Sequence, residues 1–144
     1  MTAPEIAEDA EIHISESGSS ISVINDLILI EFSSPDFTVI SGIDSDSITG
    51  GYGADVIVSA DGADVVNGGG GADSINGNLG VDHLSGGAAN DTFLVETKAD
   101  FTGALGSDTI DGGAGTDTVT WTGALNMTAT ELATVSNTEV WSIA

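Results

Sequence analysis

Arginine and cysteine are absent from this 144-residue chain, and lysine occurs once, at Lys98. Without cysteine there are no disulfides, no thiolate metal sites and no cysteine nucleophile. Against the single lysine stand 23 Asp and Glu, for a formal net charge of −22. Nucleic-acid phosphates need clustered Lys and Arg, so that class of partner is excluded, and anionic membrane surfaces are disfavoured for the same reason. Two histidines, His13 and His83, and one lysine leave few members for an acid–base or nucleophilic site, so the chain reads as a non-enzyme. Both histidines read as solvated strand residues. Long apolar runs are also missing. The longest, ISVINDLILIEF at 21–32, is broken by Asn25, Asp26 and Glu31 and is too short to span a bilayer, so no membrane insertion is expected. The N-terminal MTAPEIAEDAEIHI lacks the basic and apolar regions of a Sec signal peptide.

What is present is acid, glycine and a moderate apolar content. With 40% hydrophobic residues the chain does not have the composition of permanent disorder. So acidic a chain either repels itself or takes up cations. A small fold without disulfides needs another staple, and bound metal is one.

The stretch GGGGADSING at 68–77 sets the problem, because glycine loses more backbone freedom on ordering than any other residue. Aligning the aspartates resolves it into a nine-residue period. Six consecutive units occupy 41–49, 50–58, 59–67, 68–76, 77–85 and 86–94; the eight residues VETKADFT at 95–102 intervene, and two more units fill 103–111 and 112–120. Position six is Asp in all eight: Asp46, Asp55, Asp64, Asp73, Asp82, Asp91, Asp108 and Asp117. Position eight is always apolar: Ile48, Ile57, Val66, Ile75, Leu84, Phe93, Ile110 and Val119. Position four is Gly in six, the exceptions being Asp44 and Ala89.

This pattern resembles the repeats-in-toxin (RTX), or haemolysin-type calcium-binding, nonapeptide G-G-x-G-x-D-x-U-x. The resemblance implies an all-β fold, a right-handed parallel β-roll in which each unit supplies a turn and a short strand and two units complete a coil. It also implies Ca²⁺ as ligand.

The chemistry of the repeat agrees. Glycines permit close backbone approach, so several carbonyl oxygens can converge, and Asp adds the hard anionic oxygen that Ca²⁺ prefers. Strand alternation puts Asp and the position-eight residue on one side, while Val56, Ser74, His83 and Thr118 face away. If unit n stacks on unit n+2, Asp46, Asp64 and Asp82 form one column and Asp55, Asp73 and Asp91 another. Carboxylates stacked about 5 Å apart repel until a divalent ion sits between them. Turn carbonyls near Gly51, Gly53, Asp61, Gly62, Gly69, Gly71, Gly80, Gly87, Gly113 and Gly115 would complete such sites, with Asp44 as an extra ligand. Roughly four to six ions are expected at the weak affinities of extracellular modules. At about 1 mM Ca²⁺ each adds roughly 0.4–1.4 kcal/mol, and at cytosolic levels almost nothing. Folding after export follows. The competing reading is a metal-free solenoid whose aspartates serve turns through local side-chain hydrogen bonds.

The units differ. Residues 59–67 lack the leading Gly-Gly and carry Asp61, and Ala89 puts the turn of 86–94 in doubt. Units 41–49 and 112–120 stand at block ends. The insert reads either as a degenerate ninth unit, with Asp108 and Asp117 keeping the earlier columns, or as a loop, with the two exchanging edges.

Three regions follow: an acidic arm and β cap at 1–40, the roll at 41–120, and a C-terminal cap at 121–144. In the first, IHI, SISVI, LILIEF and FTVI read as strands; ISVINDLILIEF serves as a cap or as an assembly strand pairing with another copy. In the last, a short helix is expected around 128–134, TEVWSI as a final strand, and Trp121 and Trp141 as cap core. The ending Glu139-Val140-Trp141-Ser142-Ile143-Ala144 resembles the terminal signals of type I secretion substrates, implying that apparatus as a partner. The sequence thus points to a secreted, self-assembling surface-layer or matrix subunit, with a calcium-dependent folding and secretion module of a larger protease, lipase or toxin as the alternative.

Overall fold

The apolar residue at position eight decides the architecture. In all eight repeats it points inward, each no more than 4% exposed. A computed structural model describes residues 11–14, 20–22, 29–32, 36–96, 108–122 and 131–143. Strands alternate between two seven-stranded sheets. One holds β1 (Glu11–Ile14), β3 (Leu29–Phe32), β5 (Ser47–Gly51), β7 (Val65–Gly70), β9 (His83–Ala88), β11 (Thr109–Ala114) and β13 (Val135–Ser136). The other holds β2 (Ser20–Ser22), β4 (Thr38–Ile40), β6 (Val56–Val58), β8 (Ser74–Asn76), β10 (Thr92–Val95), β12 (Thr118–Trp121) and β14 (Val140–Ile143). Every pairing is parallel. The chain is an all-β parallel β-roll, with two repeats to a coil and the apolar column filling the space between the sheets.

Period-two burial follows from the pleat. In β6 the exposed Val56 precedes the buried Ile57, and in β8 the exposed Ser74 precedes Ile75. His83 faces outward as expected, its Nδ1 2.6 Å from the Thr109 hydroxyl on the next coil. Among the described residues no helix is long and apolar enough to cross a membrane.

The register advances by 18 residues, so Ser47 pairs with Val65 and Val65 with His83. The same step runs upstream through all four expected N-terminal strands. Glu11 pairs with Leu29 and Leu29 with Ser47; Ser20 pairs with Thr38 and Thr38 with Val56. These strands cover the repeats by continuing both sheets, although the nonapeptide signature is gone. At the aspartate register stands Phe37, 2% exposed, so the apolar core extends into a place held by carboxylates elsewhere.

Across the insert the step lengthens to Thr109 over His83 and Thr118 over Thr92. No insert strand separates β9 from β11 or β10 from β12. The expected coupling is thereby reversed: apart from Val95, which ends β10 opposite Trp121, the insert adds no rung between the paired strands, and the columns are kept. Stacking follows unit parity, and 103–111 is the seventh unit, so it lands on the fifth, 77–85. Residues 97–107, with Lys98, lie outside the described set, as do 128–130 at the start of the expected helix; Glu131–Thr134 forms one 3₁₀ turn. Trp121 is buried, and its ring stacks on Trp141 with centroids 5.9 Å apart; Trp141 is 43% exposed.

Candidate metal centre

Each repeat aspartate stands one residue before its strand and two before the buried apolar residue, which turns its side chain to the inside. All eight are at most 3% exposed. The structure gathers Asp46, Asp64, Asp82 and Asp108 along one edge of the roll and Asp55, Asp73, Asp91 and Asp117 along the other.

One oxygen of seven of the eight aspartates has a structural task. The backbone N–H groups of Phe37, Asp46, Asp55, Asp64, Asp73, Asp82 and Asp91 donate to Oδ1 of Asp55, Asp64, Asp73, Asp82, Asp91, Asp108 and Asp117, respectively, at 2.7–3.0 Å. These bonds join successive coils. The metal-free reading is therefore half right about what aspartate does, but its partner is the previous coil and not the local turn. Sequence spacing alone could not distinguish the two.

The second oxygen is left over. Oδ2 of Asp55, Asp64, Asp73, Asp91 and Asp117 is buried with no hydrogen-bond donor. A buried acceptor without a partner is costly, and a charged one more so. Burial accordingly pushes the Asp64 and Asp73 carboxyls up to about 7 and that of Asp91 to about 6. The hydrogen bond from the previous coil opposes each rise, and neighbouring carboxylates add to it: Asp82 and Asp46 for Asp64, Asp91 and Asp55 for Asp73, Asp117 for Asp91. Burial raises Asp55 as well, with Asp36 contributing.

Along the Asp55–Asp117 edge each turn opens with two glycines, and the first has a gap above it. A Cβ at Gly50 would strike both Asp55 Oδ2 and the Gly68 carbonyl oxygen. At Gly68 it would meet Asp73 Oδ2 and the Gly86 carbonyl, and at Gly86, Asp91 Oδ2 and the Gly112 carbonyl. Each gap, too small for a methyl group, is thus bordered by two acceptors. The second glycine permits the crossing: Gly69, at φ +99°, has the Gly51 carbonyl against its α-carbon, where no side chain fits.

The other edge is built differently. Its turns open with Ser41, Ser59 and Gly77, and the hydroxyl of Ser41 donates to the Ser59 carbonyl at 2.7 Å, that of Ser59 to Gly77 at 3.3 Å. Its second positions include Ala60 at φ 65° and Asn78 at φ 58°, in the left-handed region. Asp44 and Asp61 have exposed side chains; the Asp44 carbonyl faces Gly62. The doubtful Ala89 holds its turn with φ 87°.

The carbonyls of Gly51, Gly53, Gly62, Gly69 and Gly87 lie against glycines of the next coil, at Gly69, Gly71, Gly80, Gly87 and Gly113; Gly115 receives that of Ala89. The carbonyls that share a glycine gap with a leftover carboxylate oxygen belong to Gly68, Gly86 and Gly112, each one residue before Gly69, Gly87 and Gly113 of the motif reading. Counting the 18-residue step would have shown which glycine lies above which aspartate.

Among the described residues no three His, Asp or Glu side chains gather to hold an ion by themselves. A cation here would draw on one leftover carboxylate oxygen and backbone carbonyls, a hard, all-oxygen donor set that suits Ca²⁺. The residues fit the ion: it would supply positive charge where buried acceptors now face one another.

Comparison with curated proteins and with solved structures gave no match. A family model described as the RTX calcium-binding nonapeptide repeat (4 copies) matches residues 38–66, 59–93 and 100–120, over half of the chain. With the parallel roll and the stacked aspartates in place, the chain belongs to the RTX calcium-binding nonapeptide-repeat family and binds Ca²⁺.

Proposed function

We propose that the protein is a secreted structural subunit that folds when Ca²⁺ enters its turns outside the cell and then joins copies of itself at the ends of the roll. The observation carrying this reading is the column of buried, donor-less Oδ2 atoms at Asp55, Asp73, Asp91 and Asp117, with Asp64 on the opposite edge. The ligands of this reading are the eight repeat aspartates with turn carbonyls. Without cation, the buried carboxylates oppose closure of the coil; with it, their charge holds neighbouring coils together. A metal whose binding is part of folding makes the fold conditional on the medium.

Assembly draws its support from the sheet ends. Among the described residues β1 and β2 pair on one side only, and so do β13 and β14. Stacking one end on the other would extend both sheets in parallel, a head-to-tail contact that does not close and so yields a fibre. The apolar, acid-preceded C-terminus supports the type I apparatus as the route of export. No catalytic role forms part of this reading.

Circular dichroism above about pH 7, in EGTA and then in about 1 mM Ca²⁺, tests the folding step, with β-structure expected only in the second. Electron microscopy of the same samples tests assembly, with ordered fibres or sheets expected only with Ca²⁺. Identical spectra would overturn the first claim. A calcium-folded chain that stays monomeric would favour the folding and secretion module over the structural subunit.

A further inference from the structure

The Asp55–Asp117 column does not stop where the nonapeptides stop. In β14 Val140 pairs with Thr118 and Trp141 with Val119, which places Glu139 at the aspartate register. There it repeats the aspartate's bond: Glu139 Oε2 accepts the Asp117 backbone N–H at 2.8 Å. The turn beneath is abbreviated. Between the apolar positions Ile110 and Val119 the chain takes nine residues, but between their partners Val135 and Trp141 only six. Asn137, at φ 49°, makes the shorter turn, and its carbonyl oxygen faces Gly112 as Gly68, Gly86 and Gly112 face Gly50, Gly68 and Gly86. Asp117 Oδ2 borders the same gap, fully buried and without a donor. The rim of the three before it is therefore repeated over Gly112, with the carbonyl supplied by Asn137, outside every repeat; Glu139 beside it is exposed, unlike the repeat aspartates.

We propose that Asp117, the Asn137 carbonyl and Glu139 form a terminal Ca²⁺ site, with Glu139 as the last rung of the aspartate column. Glutamate suits the place because its extra methylene spans a turn that has lost three residues. The site rests on the reading that the repeat aspartates hold Ca²⁺, and it gives the C-terminal segment a second task, closing the open end of the column. Binding there would fix β14 and the Trp121–Trp141 stack.

The test uses the full chain with Ca²⁺ and with Tb³⁺, whose emission can be excited through tryptophan. Both tryptophans, Trp121 and Trp141, lie at this end. Glu139→Gln keeps an acceptor for the Asp117 N–H and removes the charge; Asp73→Asn does the same for an interior rung. By calorimetry each variant is expected to bind one Ca²⁺ fewer than wild type. Tryptophan-excited Tb³⁺ emission is expected to collapse in E139Q and persist in D73N. If D73N loses an ion while E139Q keeps wild-type stoichiometry and emission, the terminal site is wrong and the interior reading stands. If wild type binds no Ca²⁺, the wider reading falls with it. Should E139Q fail to fold in Ca²⁺, wild-type emission decides: a Tb³⁺ signal through tryptophan supports the site, and its absence overturns it.

Discussion

On one edge of the roll the turns open with Gly50-Gly51, Gly68-Gly69, Gly86-Gly87 and Gly112-Gly113; on the other they open with Ser41-Gly42, Ser59-Ala60 and Gly77-Asn78. The aspartates above them are equally buried, and on both edges Asp55, Asp64, Asp73, Asp82, Asp91 and Asp117 make the same inter-coil bond through Oδ1. What differs is what meets the turn. On the glycine edge the leftover oxygen and a carbonyl border one gap, and the backbone crosses at φ values near +100°. On the serine edge hydroxyls take up carbonyls, and φ near 60° is open to Ala and Asn. The same ladder thus has one edge lined by glycines and another where serine hydroxyls take up carbonyls, although burial raises Asp64 there as far as Asp73.

The largest effect should be on pH dependence, because several carboxyls act together. Asp73 and Asp64 are raised to about 7 and Asp91 to about 6, against 3.8 for an unfolded aspartate. Between those values the native chain binds more protons than the unfolded one, so metal-free stability falls as pH rises. In EGTA the roll is expected to be most stable below about pH 4 and to lose that stability through about pH 6–7. With Ca²⁺ the trend reverses, since protons compete for the same oxygens. Melting curves from pH 4 to 8 (a range set by the group values), with and without Ca²⁺, check both signs. A triple Asp55→Asn, Asp73→Asn, Asp91→Asn variant should flatten the EGTA curve far more than Asp64→Asn. Equal flattening would erase the distinction between the edges.

A smaller effect isolates the backbone. Gly69→Ala puts a Cβ against the Gly51 carbonyl at φ +99°, where neither partner is a flexible side chain that can move away. It should cost about 2 kcal/mol or more, whether or not Ca²⁺ is present. Ala60→Gly on the serine edge relieves a left-handed alanine at φ 65°, worth about 1–2 kcal/mol, and adds about 0.5–1 kcal/mol of unfolded-chain freedom. It should be neutral or stabilise by up to about 1.5 kcal/mol. In denaturant melts G69A should therefore be destabilised while A60G is not. A costly A60G would show that both edges need their present backbones equally.

The contrast also marks where the sequence was readable. Position six and position eight of the repeat are fixed by side-chain alternation, so the buried aspartates and the apolar column from Ile48 to Val119 follow from counting. The coils before residue 41 keep the 18-residue step and the apolar register of Ile21, Val39 and Ile57, but have no aspartate signature. Their strands were legible from β-propensity, whereas their place in the same two sheets was not, because apolar packing at Phe37 does the work of the acidic turn without its motif. Glu139 was hidden by the reverse effect: its acid is the right chemistry at the wrong spacing, since the last turn lost three residues. The division of each carboxylate into a bonded Oδ1 and a leftover Oδ2 has no sequence signal, because it depends on the neighbouring coil's amide.

Ser59 offers the finest comparison. It occupies the place of Gly50, Gly68 and Gly86, is fully buried, and donates its hydroxyl to the Gly77 carbonyl at the long distance of 3.3 Å. It also lies beside Asp64 and opposes the rise of that carboxyl, without supplying Oδ2 a donor. Ser59→Ala removes one weak bond and leaves the Gly77 carbonyl less satisfied, for an expected loss of about 1 kcal/mol in EGTA at about pH 4, where the metal-free roll is folded. In saturating Ca²⁺ the number of ions bound should not change, because the hydroxyl substitutes for a cation's work and does not ligate one. Ser59→Gly restores the gap of the glycine edge and should make the stability of this turn more dependent on Ca²⁺. A drop in ion count on S59A would instead make the hydroxyl a ligand, and the two edges would then be variants of one site.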